Sequence, residues 1–317
     1  MNQPFTIILP TRPQADTIVA IFLLQKFGKE KFPGVEHATV ATKDAISPDE
    51  TFDSLVQKNI LAIDVGGGPF DHHGKDYCAS ELVAQYLGVE KNPALTQLLQ
   101  YTRRDDREGK GTLSKDPIDR AFGLSGLISA LRKLHPTEPQ KVVEAVLPLL
   151  EAQYHSANEH HVELPREVEE KKTRNEYEEM TATTTQGKKL KISCVISDKP
   201  AMPTFLRSTR GPRADVVIQK AEKTNHLCIL TRQELKLDLS KAAALIRLRE
   251  AGLRGVELSN DNDYLGKTGR IDEVSYWYYD PATNSLLNGG PHNTSVEESQ
   301  ISWDELKKIV VAGLELS

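Results

Sequence analysis

The residue types most able to do chemistry lie in one run, Ile60-Leu-Ala-Ile-Asp-Val-Gly-Gly-Gly-Pro-Phe-Asp-His-His-Gly74. Its apolar start, Ile60 to Ile63, reads as a short buried strand that ends on the carboxylate of Asp64. Three glycines follow, and then Asp71, His72 and His73 in succession. A strand that delivers an acid to its C-terminal edge, beside imidazoles on a glycine-rich loop, is a common way for an α/β protein to build a metal or phosphate site. Carboxylate oxygen and imidazole nitrogen without thiolate suit Mn²⁺ or Mg²⁺, and Zn²⁺ and Fe²⁺ also accept such donors. Ions of this kind activate water and neutralise phosphoryl oxygens. The plain alternative is a polar turn with a satisfied histidine. Three ligand positions crowded behind one buried strand weigh against it.

The elements needed to position that run can be read around it. Phe5–Leu9 predicts a first strand, and Asp16–Phe27 a helix with Asp16 as N-cap and Gly28 as its stop. His37–Ala41 predicts a second strand, and a short helix near Phe52–Gln57 precedes the Ile60 strand. This alternation points to a parallel sheet with helices on its faces. Helices are expected over Cys78–Leu87, Pro93–Tyr101, Pro117–Leu134 and Pro139–His161. Pro165–Met180 is dense in charge and reads as a solvated helix that bridges two domains. Strands are expected at Leu190–Ile196 and, as a hairpin about Lys223-Thr-Asn225, at Ala214–Gln219 and His226–Thr231, with a second hairpin at Glu273–Tyr279 and Ser285–Leu287. Helices over Leu239–Ala251 and Trp303–Leu314 complete the second half. The expected fold is α/β: an N-terminal parallel sheet flanked by helices over 1–160, a helical linker over 161–187, and a smaller C-terminal α+β domain over 188–317.

Composition narrows the class. The chain has 317 residues, 38% hydrophobic and 27% charged, with a formal net charge of -5. Such totals describe a soluble globular protein and argue against a bulk electrostatic grip on nucleic acid, although a local basic groove remains compatible with them. No apolar run approaches the ~20 residues that span a bilayer. The three cysteines form no CxxC pair, so neither a disulfide framework nor a zinc ribbon is expected. With no signal-peptide pattern at the start, the expected compartment is the cytoplasm.

Two stretches carry a resemblance. Asp71-His-His73, with Asp64 one strand earlier in Ile63-Asp-Val-Gly-Gly67, resembles the DHH phosphoesterase superfamily, and the wording is most similar to its Myg-type branch. That superfamily includes RecJ-type exonucleases, oligoribonucleases, manganese-dependent inorganic pyrophosphatases and exopolyphosphatases. Pro13-Gln-Ala-Asp-Thr-Ile18 resembles the family's first motif, His-x-x-Pro-Asp-x-Asp, with Asp16 as the last acid. Pro10 and Gln14 then stand where the motif has its histidine and first acid. The resemblance implies that Asp16, Asp64, His72 and a fourth acid hold one ion, with Asp64, His72 and His73 catalytic and His73 facing the phosphate. It also implies that the partners of a second ion are missing, so one ion is expected rather than two. His73 has a structural alternative, a hydrogen bond to Asp71 that stiffens the loop. The fourth acid is expected in Asp105-Asp106, with Asp106 preferred; the competing view is a surface cluster in which Arg103, Arg104 and Arg107 pair with these acids.

The second half offers substrate-binding candidates. Asn288-Gly-Gly-Pro-His292 resembles the glycine-glycine-histidine signature of the DHH-associated domain, which assigns Gly289, Gly290 and His292 to substrate. Arg207, Arg210 and Arg213 precede a strand, and guanidinium forks suit phosphate; a solvated basic loop is the alternative. Arg247, Arg249, Arg254, Lys267 and Arg270 would extend a basic wall. Trp277 and its neighbouring tyrosines read better as a packed face than as a base-stacking platform. The expected activity is metal-dependent hydrolysis of a phosphodiester or phosphoanhydride, with a phosphate-containing small molecule or short single-stranded nucleic acid as partner, no membrane, and room for a homodimer. The alternative is a relative that binds nucleotide or nucleic acid without cleaving it.

Overall fold

The computed structural model describes residues 4–109, 111–259, 261–289 and 295–317. The fold is mixed α/β, with two compact units, Met1–Val162 and Glu163–Ser317.

In the first unit three short strands, β1 (Thr6–Leu9), β2 (Thr39–Thr42) and β3 (Ile60–Ala62), form a parallel sheet in the order β2-β1-β3. Parallel strands need crossover connections, and α1 (Ala15–Phe27) and α2 (Phe52–Gln57) supply them. The chain leaves β1 toward β2 on one side and returns to place β3 on the other. The C-terminal ends of β1 and β3 therefore flank a topological switch point, where open α/β sheets bind ligands.

Burial sorts the helices onto the two faces. Ile7, Leu9, Leu61 and Ile63 share one core with α1 and with α3 (Ala79–Leu87), α4 (Thr96–Glu108), α6 (Leu124–Leu134) and α7 (Pro139–Asn158), while α5 (Pro117–Phe122) buries no residue. Ile8 and Ala62 point the other way, onto Leu55 of α2, Val65 and Ile46. Every residue of α1 from Ala15 to Leu24 is buried, as suits a helix that is apolar almost all round. That packing takes Asp16 and Thr17 inside with it.

Three helices differ from the sequence expectation. The helix expected to end at Tyr101 runs on through the arginine–aspartate stretch to Glu108, where Gly109 caps it at φ +60°. Charged residues are good helix formers, and the glycine is the stop. The single helix expected over Pro117–Leu134 is broken at Gly123. α7 ends at Asn158, and a widened turn over Glu159–Glu163 follows.

The second unit corrects the expected linker. Residues 163–187 belong to this unit: α8 (Leu164–Thr173) is followed by β4 (Tyr177–Thr183), which pairs antiparallel with β5 (Lys189–Ile196). The run of charge obscured a strand whose inward positions, Tyr177 and Ala182, are buried. With that segment included, the second unit spans Glu163–Ser317, a little shorter than the first. α9 (Met202–Arg207), β6 (Val216–Lys220), β7 (Leu227–Thr231), α10 (Ser240–Arg254), α11 (Asn262–Leu265), β8 (Gly269–Ile271), β9 (Val274–Asp280), β10 (Ser285–Asn288) and α12 (Trp303–Glu315) complete it. The sheet order is β4-β5-β6-β7-β10-β9-β8. Alternation along β6 explains the layers: Val216 and Ile218 pack with α10 and α12, and Val217 with α8 and α9. Among the described residues no helix is long and apolar enough to cross a membrane.

Candidate metal centre

Asp64 ends the third strand in an unusual backbone state. Its φ is +57°, the left-handed region that costs an L-residue about 1 kcal/mol and that aspartate tolerates better than most. The Ile63 amide still donates to Ile8 of β1, 2.8 Å, and the Asp64 amide donates to Phe70, 3.1 Å. The strand is thus abandoned at Asp64, and the glycine loop closes back onto it. Gly66 has φ +81°, and a Cβ there would lie 2.8 Å from the side chain of Ile46. Only glycine fits that turn without displacement.

Asp71 locks the same loop. Its Oδ2 accepts from the Gly67 amide at 2.7 Å, and its Oδ1 accepts from the His73 amide at 3.0 Å and faces His73 Nδ1 at 2.7 Å. Lys75 Nζ donates to the Asp71 carbonyl at 2.7 Å. These bonds fix the two histidines as a parallel stack, ring centroids 5.2 Å apart. His73 lies on the outside, 75% exposed, and His72 is turned in.

His72 meets three acids from three other segments. Its Nδ1 is 2.9 Å from Asp64 Oδ1 and 3.9 Å from Asp16 Oδ2, and its Nε2 is 3.6 Å from Asp106 Oδ1. Asp16 is delivered by the first turn of α1, where Asp16 is 3% exposed and accepts from the Ala79 amide at the start of α3, 3.3 Å. Asp106 is delivered by α4. Ser80 of α3 and Thr102 of α4 are hydrogen-bonded at 2.8 Å, and one helical turn beyond Thr102 places Asp106 on the same face.

The choice between the neighbouring acids follows from their partners. Asp105 Oδ1 accepts from the Gly111 amide at 3.1 Å and holds the loop after α4. The arginines of the stretch turn elsewhere: Arg103 to Glu81 at 2.9 Å, Arg107 to Asp76 at 2.8 Å, and Arg104 to the Gly111 carbonyl at 2.9 Å. Among the described residues no lysine or arginine pairs with Asp16, Asp64, Asp71 or Asp106.

The electrostatics record that crowding. Burial, with Asp106 and Asp64 nearby, pushes the Asp16 carboxyl up to about 7. Burial also raises Asp64, against the pull of His72 and His73. Burial works to raise Asp71 too, but the hydrogen bonds from His73 and Gly67 together hold it below the usual carboxylate range. The hydrogen bond to Asp71, and the charges of Asp71 and Asp64, raise His73.

A cation fits this arrangement on two grounds. Ligating atoms of Asp16, His72 and Asp106 all lie within 4.8 Å of one another. Asp64 Oδ1 and His72 Nδ1 are buried and close, yet not aligned as a hydrogen bond, so neither has a partner. Buried polar atoms are seldom left so, and a divalent ion would satisfy both. Asp64, Asp71 and His73 also cluster within 4.8 Å, but Asp71 and His73 Nδ1 are spent on each other. That second group is a brace.

Gln14 is exposed at the start of α1, with its amide bonded to Thr17 Oγ1 at 3.0 Å, and Pro10 carries no ligand atom in its side chain. The remaining candidates lie in the second unit. Arg207 donates to the carbonyls of Thr231, 2.5 Å, and Pro203, 3.1 Å, so its guanidinium is committed to the fold. Arg210 is exposed and Arg213 occupies a turn at φ +56°. Gly289 has φ +67°; Gly290 and His292 lie outside the described residues. Two of the five cations of the expected basic wall are taken up by the fold: Arg247 is fully buried and donates to the carbonyls of Leu265, Lys267, Gly269 and Trp277, and Arg254 pairs with Glu250, while Lys267 and Arg270 are exposed. Trp277 is fully buried as well, as a packed face requires.

Sequence reasoning missed the Ala79 amide as a partner of Asp16. Its signal was the helix start itself: Glu81 accepts from the Cys78 amide at 3.0 Å, the second half of a capping box. No protein-family model matches this chain, and no curated protein matches it.

Proposed function

We propose that the Met1–Val162 unit is a divalent-cation-dependent phosphohydrolase centre related to the DHH phosphoesterases. It would hold one Mn²⁺ or Mg²⁺ through Asp16, Asp64, His72 and Asp106 and cleave a phosphodiester or phosphoanhydride. The observation that carries this reading is the convergence of three acids from separate segments on His72, at 2.9, 3.9 and 3.6 Å, without a lysine or arginine counter-charge. A bound divalent ion would supply Lewis acidity and a more acidic water.

The chain's own residues define the rest. Asp71 holds His73 by Nδ1 and leaves Nε2 toward solvent. With its basicity raised above that of an ordinary imidazole, His73 is suited to hold a proton at Nε2 and donate it to a phosphoryl oxygen or leaving group. The substrate is read as a phosphate-containing small molecule or a short single-stranded nucleic acid. Pro10 and Gln14 favour a second reading, binding without hydrolysis, because they leave one side of Asp64 without protein ligands for a second ion. A hydrolysis screen on short oligonucleotides, dinucleotides and tripolyphosphate with Mn²⁺ separates the two. Turnover that Asp64→Asn reduces by at least about 100-fold supports the enzyme; tight binding with no turnover supports the second reading.

A further inference from the structure

A cavity of about 460 Å³ opens in the first unit beside the loop that leads from β1 to Asp16. Thr11, Arg12 and Pro13 form one wall; Arg132, Lys133 and His135, at the end of α6, form another, and Pro139 and Val142 of α7 contribute to the rest. Its size falls in the range of about 300–1,000 Å³ typical of small-ligand sites. No acid lines it. Glu138, the nearest in sequence, is engaged by His135 at 3.7 Å and Lys141 at 2.7 Å. Asp44 is held by Thr11 at 2.6 Å, and the charge of Arg12 helps to keep its carboxyl low, after the Thr11 hydrogen bonds. Among the described residues neither Arg12, Arg132 nor Lys133 forms an ion pair.

The helix ends do not explain this charge. The C-terminus of α6 carries partial negative charge and the N-terminus of α7 partial positive charge, and they meet here and largely offset. What remains is Arg132 and Lys133 without an ion pair, and Arg12 shared with Asp44, around a concave surface in a chain of net charge -5. Guanidinium groups bind phosphate oxygens through paired N–H donors, and lysine adds a point charge.

We propose that this cavity binds the non-reacting phosphates of a small polyphosphorylated substrate, with Arg12, Arg132 and Lys133 as the recognition residues. The inference deepens the phosphohydrolase reading and rests on it only for the role given to the ligand. Arg12 is four residues before Asp16, so an anion seated in the cavity engages the loop that enters the metal centre. The ligand class is a chain of at least two phosphates, as in tripolyphosphate or a nucleotide tail.

The test is calorimetric titration of the full chain with tripolyphosphate in the presence of chelator, so that no metal contributes. The expected result is saturable binding that weakens about tenfold for each of Arg132→Gln and Lys133→Gln and more for the pair. Lys58→Gln, a surface cation paired with Glu50 at 2.7 Å, serves as control and leaves binding unchanged. Circular dichroism confirms that the variants are folded, and Arg12→Gln supplies an independent arm from the other wall. Absence of binding, or binding that all three variants leave intact, overturns the proposal. Variant-sensitive binding in a protein with no Mn²⁺-dependent turnover keeps the cavity and removes the hydrolase reading instead.

Discussion

His72 Nδ1 lies 2.9 Å from Asp64 Oδ1, and neither atom is hydrogen-bonded. Two buried polar atoms brought together in that way are rarely left without a further partner; under the proposed reading a divalent ion would serve both and relieve the repulsion among Asp16, Asp64 and Asp106.

Asp16 makes the empty protein pH-sensitive. Its folded carboxyl titrates near 7 because of burial and its acidic neighbours, while an unfolded aspartate titrates near 3.9. Between these values the folded state holds a proton that the unfolded state has released. The sign follows: this group lowers stability as pH rises from about 4 to about 7, by an amount on the order of a few kcal/mol, and adds nothing further above. Thermal melts in chelator should show Tm falling over that window. Asp16→Asn should flatten the fall, raise Tm at pH 8, and abolish the gain in Tm that Mn²⁺ gives the unaltered protein.

Gly66→Ala tests the loop that carries the histidines. The new Cβ meets Ile46 at 2.8 Å on a backbone at φ +81°. Strain plus overpacking should destabilise the chain by about 1–3 kcal/mol, read as a lower urea midpoint at unchanged slope. Gly67→Ala is the comparison: it has the same hand of backbone, φ +67°, but no atom within 4 Å of the added methyl, and should cost less.

His73 should matter to turnover and little to folding. Its side chain is 75% exposed and its basicity is raised by Asp71 and Asp64. A raised histidine contributes through its protonated form, which is fully present below the unfolded value and lost as pH rises through the folded one. Turnover that uses the protonated ring should therefore decline as pH rises through that raised value. His73→Gln should lower kcat by about 10²-fold or more and remove that alkaline limb, with Tm nearly unchanged.

Arg247 should behave as a core residue. It is fully buried, and its guanidinium serves four carbonyls. Arg247→Met keeps bulk but leaves those carbonyls without donors, and should cost about 3 kcal/mol or more in denaturant unfolding. Mn²⁺ uptake per folded chain should not change.

The parallel sheet was legible because its strands are short apolar runs separated by helix-period segments, and Asp64 and His72 were legible because one follows such a strand and the other lies on the glycine-rich loop after it. Asp106 was harder to read. A run of two arginines, two aspartates and a third arginine does not reveal which charges pair with one another. Tertiary contacts, among them Ser80–Thr102 and the burial of Leu98 and Leu99, fix the helix rotation that turns Asp106 inward and Asp105 toward Gly111. The strand Tyr177–Thr183 was hidden because its exposed positions carry Glu178 and Glu179, which resemble the charged helix before it. Arg207 and Arg247 were hard to read for a related reason: sequence shows a cation but not the carbonyls that claim it.

The proposed centre has a stoichiometry that can be counted. Equilibrium dialysis against Mn²⁺, with metal analysis of the dialysed protein, should find one ion per chain, lost in Asp64→Asn and in His72→Gln while circular dichroism is unchanged. Uptake that survives both substitutions, or no uptake by the unaltered chain, would contradict the account.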